Sequence, residues 1–418
     1  MFRYLYTADP AAHVFSDGRL WLYADRDPAR PNKTWMSMCS YHAFSTADLL
    51  NWIDHGTVLT CDEIAWCGGA AWDGDCVERH GKYWYFFPMI DQIGVAVADK
   101  PEGPFRDALG HPLITRQTRG VLPRSPQGGL LVSPVVVNSP DGLFLYFGQN
   151  EALYIVELKD SMVELAGPVR RVAAPEVYHE GPWVFFRSGH YHIIYGRGAV
   201  TDDLEDQCDN LAYASAKQPD GPFTFHNIVQ KDLGRTVQAC LVEWDGKDIL
   251  FYHEDGPDNY HRHIRAEMVD RPGDGGVELI PRGSAPLIPE SVRLDARGRH
   301  SGEDYHEAGG QVERLKLEEG RCGFVRLRGQ DAVIKFSHWT ADNPVYSFIA
   351  VIRNNPSGKA SFQVHLAGEP ITTLELPVNP EAPADWQEVI VPLQFPLAGD
   401  FGSLRIRGTG DLKHFSFV

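Results

Sequence analysis

Two carboxylates sit where a lone charge is unexpected. Asp9 lies in Tyr6-Thr7-Ala8-Asp9-Pro10, and Glu180 lies in His179-Glu180-Gly181-Pro182-Trp183. Each comes just ahead of a strand-like run that feeds a tight turn, so the two hold equivalent places in different parts of the chain. An Asp before Pro is often only a turn residue. A Glu among Gly, Pro and Trp needs a partner or a role. Three other segments fall at the same place. Trp72-Asp73-Gly74-Asp75-Cys76-Val77 brings two acids, Ser133-Pro134-Val135 brings a hydroxyl, and Thr236-Val237-Gln238 brings an amide. If these positions converge, one protonated and one ionised carboxyl would be equipped for paired acid and base chemistry. Trp35, Trp66, Trp72 and Trp183 lie near these segments. They either form a wall on which a ligand ring stacks or wedge neighbouring sheets together.

The elements that must position these groups announce themselves by repetition. A polar turn followed by an aromatic, β-branched strand recurs five times, with its glycine at 18, 81, 142, 189 and 246. Clear copies are His80-Gly81-Lys82-Tyr83-Trp84-Tyr85-Phe86 and Asp245-Gly246-Lys247-Asp248-Ile249-Leu250-Phe251-Tyr252. The spacings of 63, 61, 47 and 57 residues suit hairpin-built propeller blades. A second motif, a small-residue strand followed by a Pro/Gly turn and an aromatic plug, occurs as Pro101-Glu102-Gly103-Pro104-Phe105 and Pro219-Asp220-Gly221-Pro222-Phe223. The chain therefore reads as all-β, with a five-bladed β-propeller over residues 1–282. Blades in a ring deliver the residues ahead of their innermost strands to one mouth of a central channel, so Asp9, Asp73 or Asp75, Ser133, Glu180 and Gln238 are expected to meet there. The loops Ala24 to Trp35 and Leu113 to Leu130 are expected to shape the site.

Composition changes near Ile280, where Pro281, Gly283, Pro286 and Pro289 make a linker. Residues 290–418 read as a β-sandwich of jelly-roll type. Candidate strands there include 312–317, 323–327, 332–336, 345–352, 360–366, 387–391, 403–408 and 413–418. Helices should be few.

The bulk numbers exclude some functions. The 418 residues carry 39 basic and 56 acidic side chains, a formal net charge of −17. That disfavours a nucleic-acid partner, which needs a basic surface, and is compatible with a neutral ligand such as a sugar. No apolar run is long enough to span a membrane. No signal peptide is visible at the start, which gives a cytoplasmic expectation. Seven scattered cysteines, an odd number without a framework, point to free thiols rather than to a disulfide scaffold or a metal site. Oligomeric state is not legible.

On these segments the chain resembles glycoside hydrolase family 43, five-bladed propeller enzymes acting on β-xylosides and α-L-arabinofuranosides. Ala8-Asp9-Pro10 is similar to the segment bearing the family's general base, and His179-Glu180-Gly181-Pro182-Trp183 to the segment bearing its general acid. Trp72-Asp73-Gly74-Asp75 resembles a Trp-Ala-Pro-Asp stretch, and Asn259-Tyr260-His261-Arg262-His263 the late segment that closes the ring, which brings Arg262 to the site. The resemblance implies an inverting, exo-acting hydrolase that needs no cofactor, with an oligosaccharide or glycoside as partner. In that mechanism the two carboxyls stand roughly 6.5 to 9.5 Å apart.

Two positions depart from the pattern. The family has an Asp at the third position, which tunes the acid, where this chain has Ser133. It has a His at the fifth, often over a bound ion or water, where this chain has Gln238. One reading of these departures is that Asp73 or Asp75 supplies the missing charge from the second blade. The alternatives are a shifted substrate such as a galactofuranoside, and a carbohydrate-binding protein without turnover. A protein-interaction propeller would not need two acids facing one channel. Residues 290–418 resemble a family 6 carbohydrate-binding module. The calcium-binding start of such modules is Val292-Arg293-Leu294-Asp295-Ala296-Arg297 here, so calcium is not supported.

Overall fold

The repeated phrase folds as hairpins because its turns supply the required backbone. At His80-Gly81, Ser188-Gly189 and Asp245-Gly246 both residues have positive φ, between 48° and 77°. Each pair is the whole loop between paired strands, so all three are two-residue turns of the kind that matches strand twist. The computed structural model describes all residues except 3, 29–34, 125–128, 151, 199–208, 257–260, 271–275, 279–286, 316–321, 355–358 and 377–384, and the side chain of Trp35. The expected linker thus lies mostly outside the described residues, as do Asn259 and Tyr260.

The strands follow the repeats. The first supplies β1 (Tyr6–Val14), β2 (Leu20–Asp27), β3 (Ser40–Thr46) and β4 (Asn51–Thr60). The second gives β5 (Asp75–Arg79), β6 (Lys82–Pro88), β7 (Ile93–Ala98) and β8 (Arg106–Asp107). The third gives β9 (Val135–Ser139), β10 (Gly142–Phe147), β11 (Tyr154–Glu157) and β12 (Arg170–Arg171). The fourth gives β13 (Tyr178–Arg187), β14 (His190–Arg197), β15 (Asp209–Ala216) and β16 (Thr224–Gly234), and the fifth β17 (Ala239–Trp244), β18 (Lys247–Glu254) and β19 (His263–Val269). Within each repeat, consecutive strands pair antiparallel. Both aromatic plugs, Phe105 and Phe223, are buried.

The five expected separate blades are four. The second to fifth repeats form separate sheets, but β4 pairs in parallel with β20 (Ser291–Ser301), so β1–β4 are one end of a 12-stranded sheet. An outermost strand presents unpaired N–H and C=O groups, and here a later segment takes them up. The first and fifth repeats are neighbours: β1 packs on β17–β19, and the Thr7 N–H donates to the Arg262 carbonyl at 3.1 Å.

The rest of that sheet is β21 (Glu307–Leu315), β22 (Phe324–Phe336), β23 (Trp339–Arg353), β24 (Ser361–Leu366), β25 (Glu369–Glu375), β26 (Gln387–Phe401) and β27 (Leu404–Phe417). It is a mixed sheet curled around its own core of Trp339, Phe336, Phe348, Phe415 and Phe417, consistent with a sandwich. Two expected strand pairs, 323–327 with 332–336 and 403–408 with 413–418, are each a single long strand, β22 and β27. The register between them shifts at Leu327/Val333, which is where alternation in the sequence breaks. Helical structure among the described residues is limited to short 3-10 turns such as Trp35–Ser37 and Cys61–Glu63. Among the described residues no helix is long and apolar enough to cross a membrane.

Candidate active site

The residues ahead of the innermost strands do converge. Asp9, Asp73, Ser133, Glu180 and Gln238, one from each repeat, line a single cavity of about 190 Å³ together with Trp72, Arg262, Gln149, Thr236, Met38, Leu130 and Val132. Backbone distortion aims them. Asp9 and Ser133 have φ of 52° and 55°, and Gly181 beside Glu180 has 62°. The β1–β2 register breaks between Ala8 and Ala11, and the β13–β14 register breaks on both sides of Glu180. Bulges of this kind turn a side chain off the sheet face, and a left-handed non-glycine residue costs about 1–3 kcal/mol that the surrounding packing must supply.

Asp9 is held by charge. Arg262 Nη1 reaches its Oδ2 at 3.2 Å, and His253 Nδ1 lies 3.2 Å from Oδ1 and 3.1 Å from its backbone N. Burial alone would raise its carboxyl, but Arg262 and His253 outweigh that and hold it well below the usual carboxylate range. Arg262 is in turn fixed by Asp27, which accepts from Nη2 at 2.9 Å and from Nε and the backbone N at 3.0 Å.

Glu180 is half-buried and moves the other way. Burial raises its carboxyl most; His179 and Gln149 oppose this, while Asp209 and Asp9 add to it. Gln149 Nε2 donates to Oε2 at 2.7 Å. Asp73 is also pushed well up, by burial and by the charges of Asp9 and Glu180, against its bond to Ser133. The cavity therefore contains one carboxyl held ionised and two held toward the protonated form, the division that acid–base work requires.

Three expectations are corrected and one cannot be placed. Asp75 does not line the cavity. It accepts from His13 Nε2 at 2.6 Å and from the Val136 N–H at 2.8 Å, a latch joining β1, β5 and β9. Trp183 points into the core and donates to the Leu241 carbonyl at 3.1 Å. Trp66 stacks on Phe87 and donates to Asp107 at 2.7 Å, away from the cavity. Both rings are wedges rather than ligand walls, and only Trp72 of the placed tryptophans faces the cavity. The side chain of Trp35 lies outside the described residues. Sequence reasoning missed His253, Asp25, Asp27, Gln149, Thr236 and Met38. A signal existed for three of them: His253 closes the fifth aromatic strand, and Asp25 and Asp27 fall on one face of β2, a strand buried throughout.

His179, Glu180 and Asp209 bring potential ligand atoms within 4.8 Å of one another. His179 Nδ1 and Asp209 Oδ2 are 2.5 Å apart, which reads as an ion pair orienting the ring. At the fifth position, Gln238 and Thr236 stand beside the Arg262 guanidinium, a setting that does not suit a cation.

The sequence profile of glycosyl hydrolases family 43 matches residues 34–276, more than half of the chain. The chain belongs to glycosyl hydrolase family 43. Among its relatives, a xylosidase/arabinosidase of Bacteroides ovatus is 30% identical over 317 residues, covering 63% of this chain and 90% of the relative. A β-D-galactofuranosidase of Aspergillus niger is 30% identical over 285 residues, covering 63% and 78%. Among solved structures, the family 43 α-L-arabinofuranosidase of Clostridium thermocellum superposes with a TM-score of 0.55 at 26% identity, covering 67% of this chain and 95% of the other. A family 43 arabinoxylan arabinofuranohydrolase from Bacillus subtilis covers all of this chain and 96% of its own, with a TM-score of 0.60 at 19% identity, which extends the likeness of fold to the C-terminal sheet.

Proposed function

We propose that this family 43 hydrolase releases terminal pentose units, α-L-arabinofuranosyl or β-xylosyl, with inversion at the anomeric carbon. The observation that carries the reading is one cavity in which Asp9 is held ionised while Glu180 is held toward its protonated form. Glu180 gives its proton to the leaving oxygen as the bond from the anomeric carbon breaks. Asp9 takes a proton from a water that adds to the opposite face of the ring. Asp73 replaces the carboxyl absent at Ser133, since it enters the same cavity and accepts the Ser133 N–H. Trp72 offers a ring face to the sugar. The names of the Bacteroides ovatus and Clostridium thermocellum relatives support a pentose; that of the Aspergillus niger relative supports a galactofuranoside as the second substrate to test.

The same reading takes residues 1–282 as the catalytic unit, with β1–β4 serving as a fifth blade because they carry Asp9 to the cavity and adjoin β17–β19. It takes residues 290–418 as a carbohydrate-binding module of the family 6 kind. A panel of chromogenic arabinofuranosides, xylosides and galactofuranosides tests the substrate, and proton NMR of the first product formed tests inversion. A retained anomer overturns the mechanism. Binding of oligosaccharides with no product after long incubation would leave a binding protein instead.

A further inference from the structure

We propose that Asp25 is a neutral carboxylic acid that donates its proton in a hydrogen bond to Asp9, and is thereby a positioning residue for the base. This rests on the reading of Asp9 as base. Asp25 lies on β2 directly across from Ala8, at the bulge that turns Asp9 into the cavity. It is 0% exposed, and among the described residues neither of its carboxyl oxygens accepts a hydrogen bond. A buried carboxylate in that condition is costly, whereas a carboxylic acid needs one acceptor for its proton.

The surrounding groups decide where the proton sits. From β1 comes Asp9, from β2 Asp27, from the turn before β19 Arg262, from β3 Tyr41 and from β6 Tyr85; His253 on β18 lies behind Asp9. Three carboxyls face one guanidinium and one imidazole, so full ionisation would bury net negative charge. Arg262 directs three donors to Asp27 and one to Asp9, and its Nη2 stays 3.7 Å from Asp25. Tyr41 donates to the Pro88 carbonyl at 3.3 Å, and the Tyr85 hydroxyl makes no hydrogen bond among the described residues. Asp9 is the acceptor within reach, and burial together with the Asp9 charge pushes the Asp25 carboxyl well up. A donor on Asp9 fixes which of its lone pairs faces the cavity and makes it a weaker, more fully ionised base.

Infrared difference spectra of the full chain at neutral pH, wild type minus Asp25→Asn, should show the carbonyl band of one protonated carboxylic acid beyond those that Glu180 and Asp73 give in both proteins. A difference spectrum without that band overturns the proposal whatever Asp9 does. The pH dependence of kcat/KM supplies the link to Asp9. Asn retains a donor, so its acid limb stays in place. Ala removes the donor, and its acid limb moves up by about one pH unit with kcat falling more than KM changes. If Asp25 were ionised, both variants would lose a negative neighbour and both limbs would move down. No movement in either variant would leave Asp25 a packing residue. Asp9→Asn, which removes the base, separates failure of the base reading from failure of this one.

Discussion

The Ser133 N–H donates to Oδ1 of Asp73 at 3.1 Å, joining the loops ahead of β5 and β9 at the wall of the cavity. On the proposed reading, the carboxyl absent at one repeat is supplied by its neighbour, held by the backbone of the very position that lacks it. The backbone at Ser133 accepts an Asp: its φ is 55°, which Asp tolerates better than most residues. Asp73→Asn should move the alkaline limb of kcat/KM to lower pH, because a carboxyl coupled to Glu180 is lost. Asp73→Ser combined with Ser133→Asp should bring that limb back. A double variant no better than the single one would show that the two positions are not exchangeable.

Glu180→Gln should lower kcat on alkyl glycosides by about 10²- to 10⁴-fold and remove the alkaline limb. An aryl glycoside with a good leaving group should lose much less. Steady-state rates on the two substrates, measured side by side, decide it; equal losses would take Glu180 out of the acid role.

Asp75 is the contrasting acid. Asp75→Ala leaves the buried Val136 N–H and His13 without their acceptor, so unfolding free energy should drop by about 1–3 kcal/mol while kcat stays within a few-fold of wild type. Urea unfolding and kinetics on the same preparation test both halves.

His179 gives a stability signature. Burial pulls its imidazole down, but Glu180 and Asp209 outweigh that and push it up to about 9. A folded value above the unfolded 6.5 means that its contribution is fully present below that pH and is lost as pH rises through about 9. Thermal midpoints measured across this window should fall for wild type, and the slope should flatten in His179→Gln.

Cys39 and Cys322 have their sulfurs 2.9 Å apart, one on the propeller side and one beside β22. Oxidised glutathione should join them, the two thiols losing two hydrogens as it becomes two reduced molecules. The bridge would close a long loop and add about 2–4 kcal/mol to stability. Peptide mapping under non-reducing conditions checks the pairing, and Cys322→Ser should abolish the effect.

What could be read in the sequence was local. Two-residue turns, Pro/Gly plugs and the order of residues ahead of the innermost strands are set by nearby chemistry, and they placed Asp9, Glu180, Ser133 and Gln238 at one cavity. The choice between Asp73 and Asp75 was not local, because it depends on which acid β1 and β9 engage. Trp66 and Trp183 turn inward because Asp107 and the Leu241 carbonyl offer their indoles a partner, and those partners are distant in sequence. Asp25 and His253 stand near the ends of second strands, each at the head of a polar run that looks like the start of a turn. The union of β4 with β20 joins segments more than two hundred residues apart, and no periodicity in either announces it.

That union bears on how the protein is to be dissected. Cutting the gene near codon 282 would strip β4 of its neighbour and leave an open flank of amide and carbonyl groups on the repeat that carries Asp9. Such a fragment invites self-association, and its inactivity would say nothing about whether the C-terminal sheet handles sugar. Point changes on the far face of that sheet, with the seam intact, are the informative way to ask what it does.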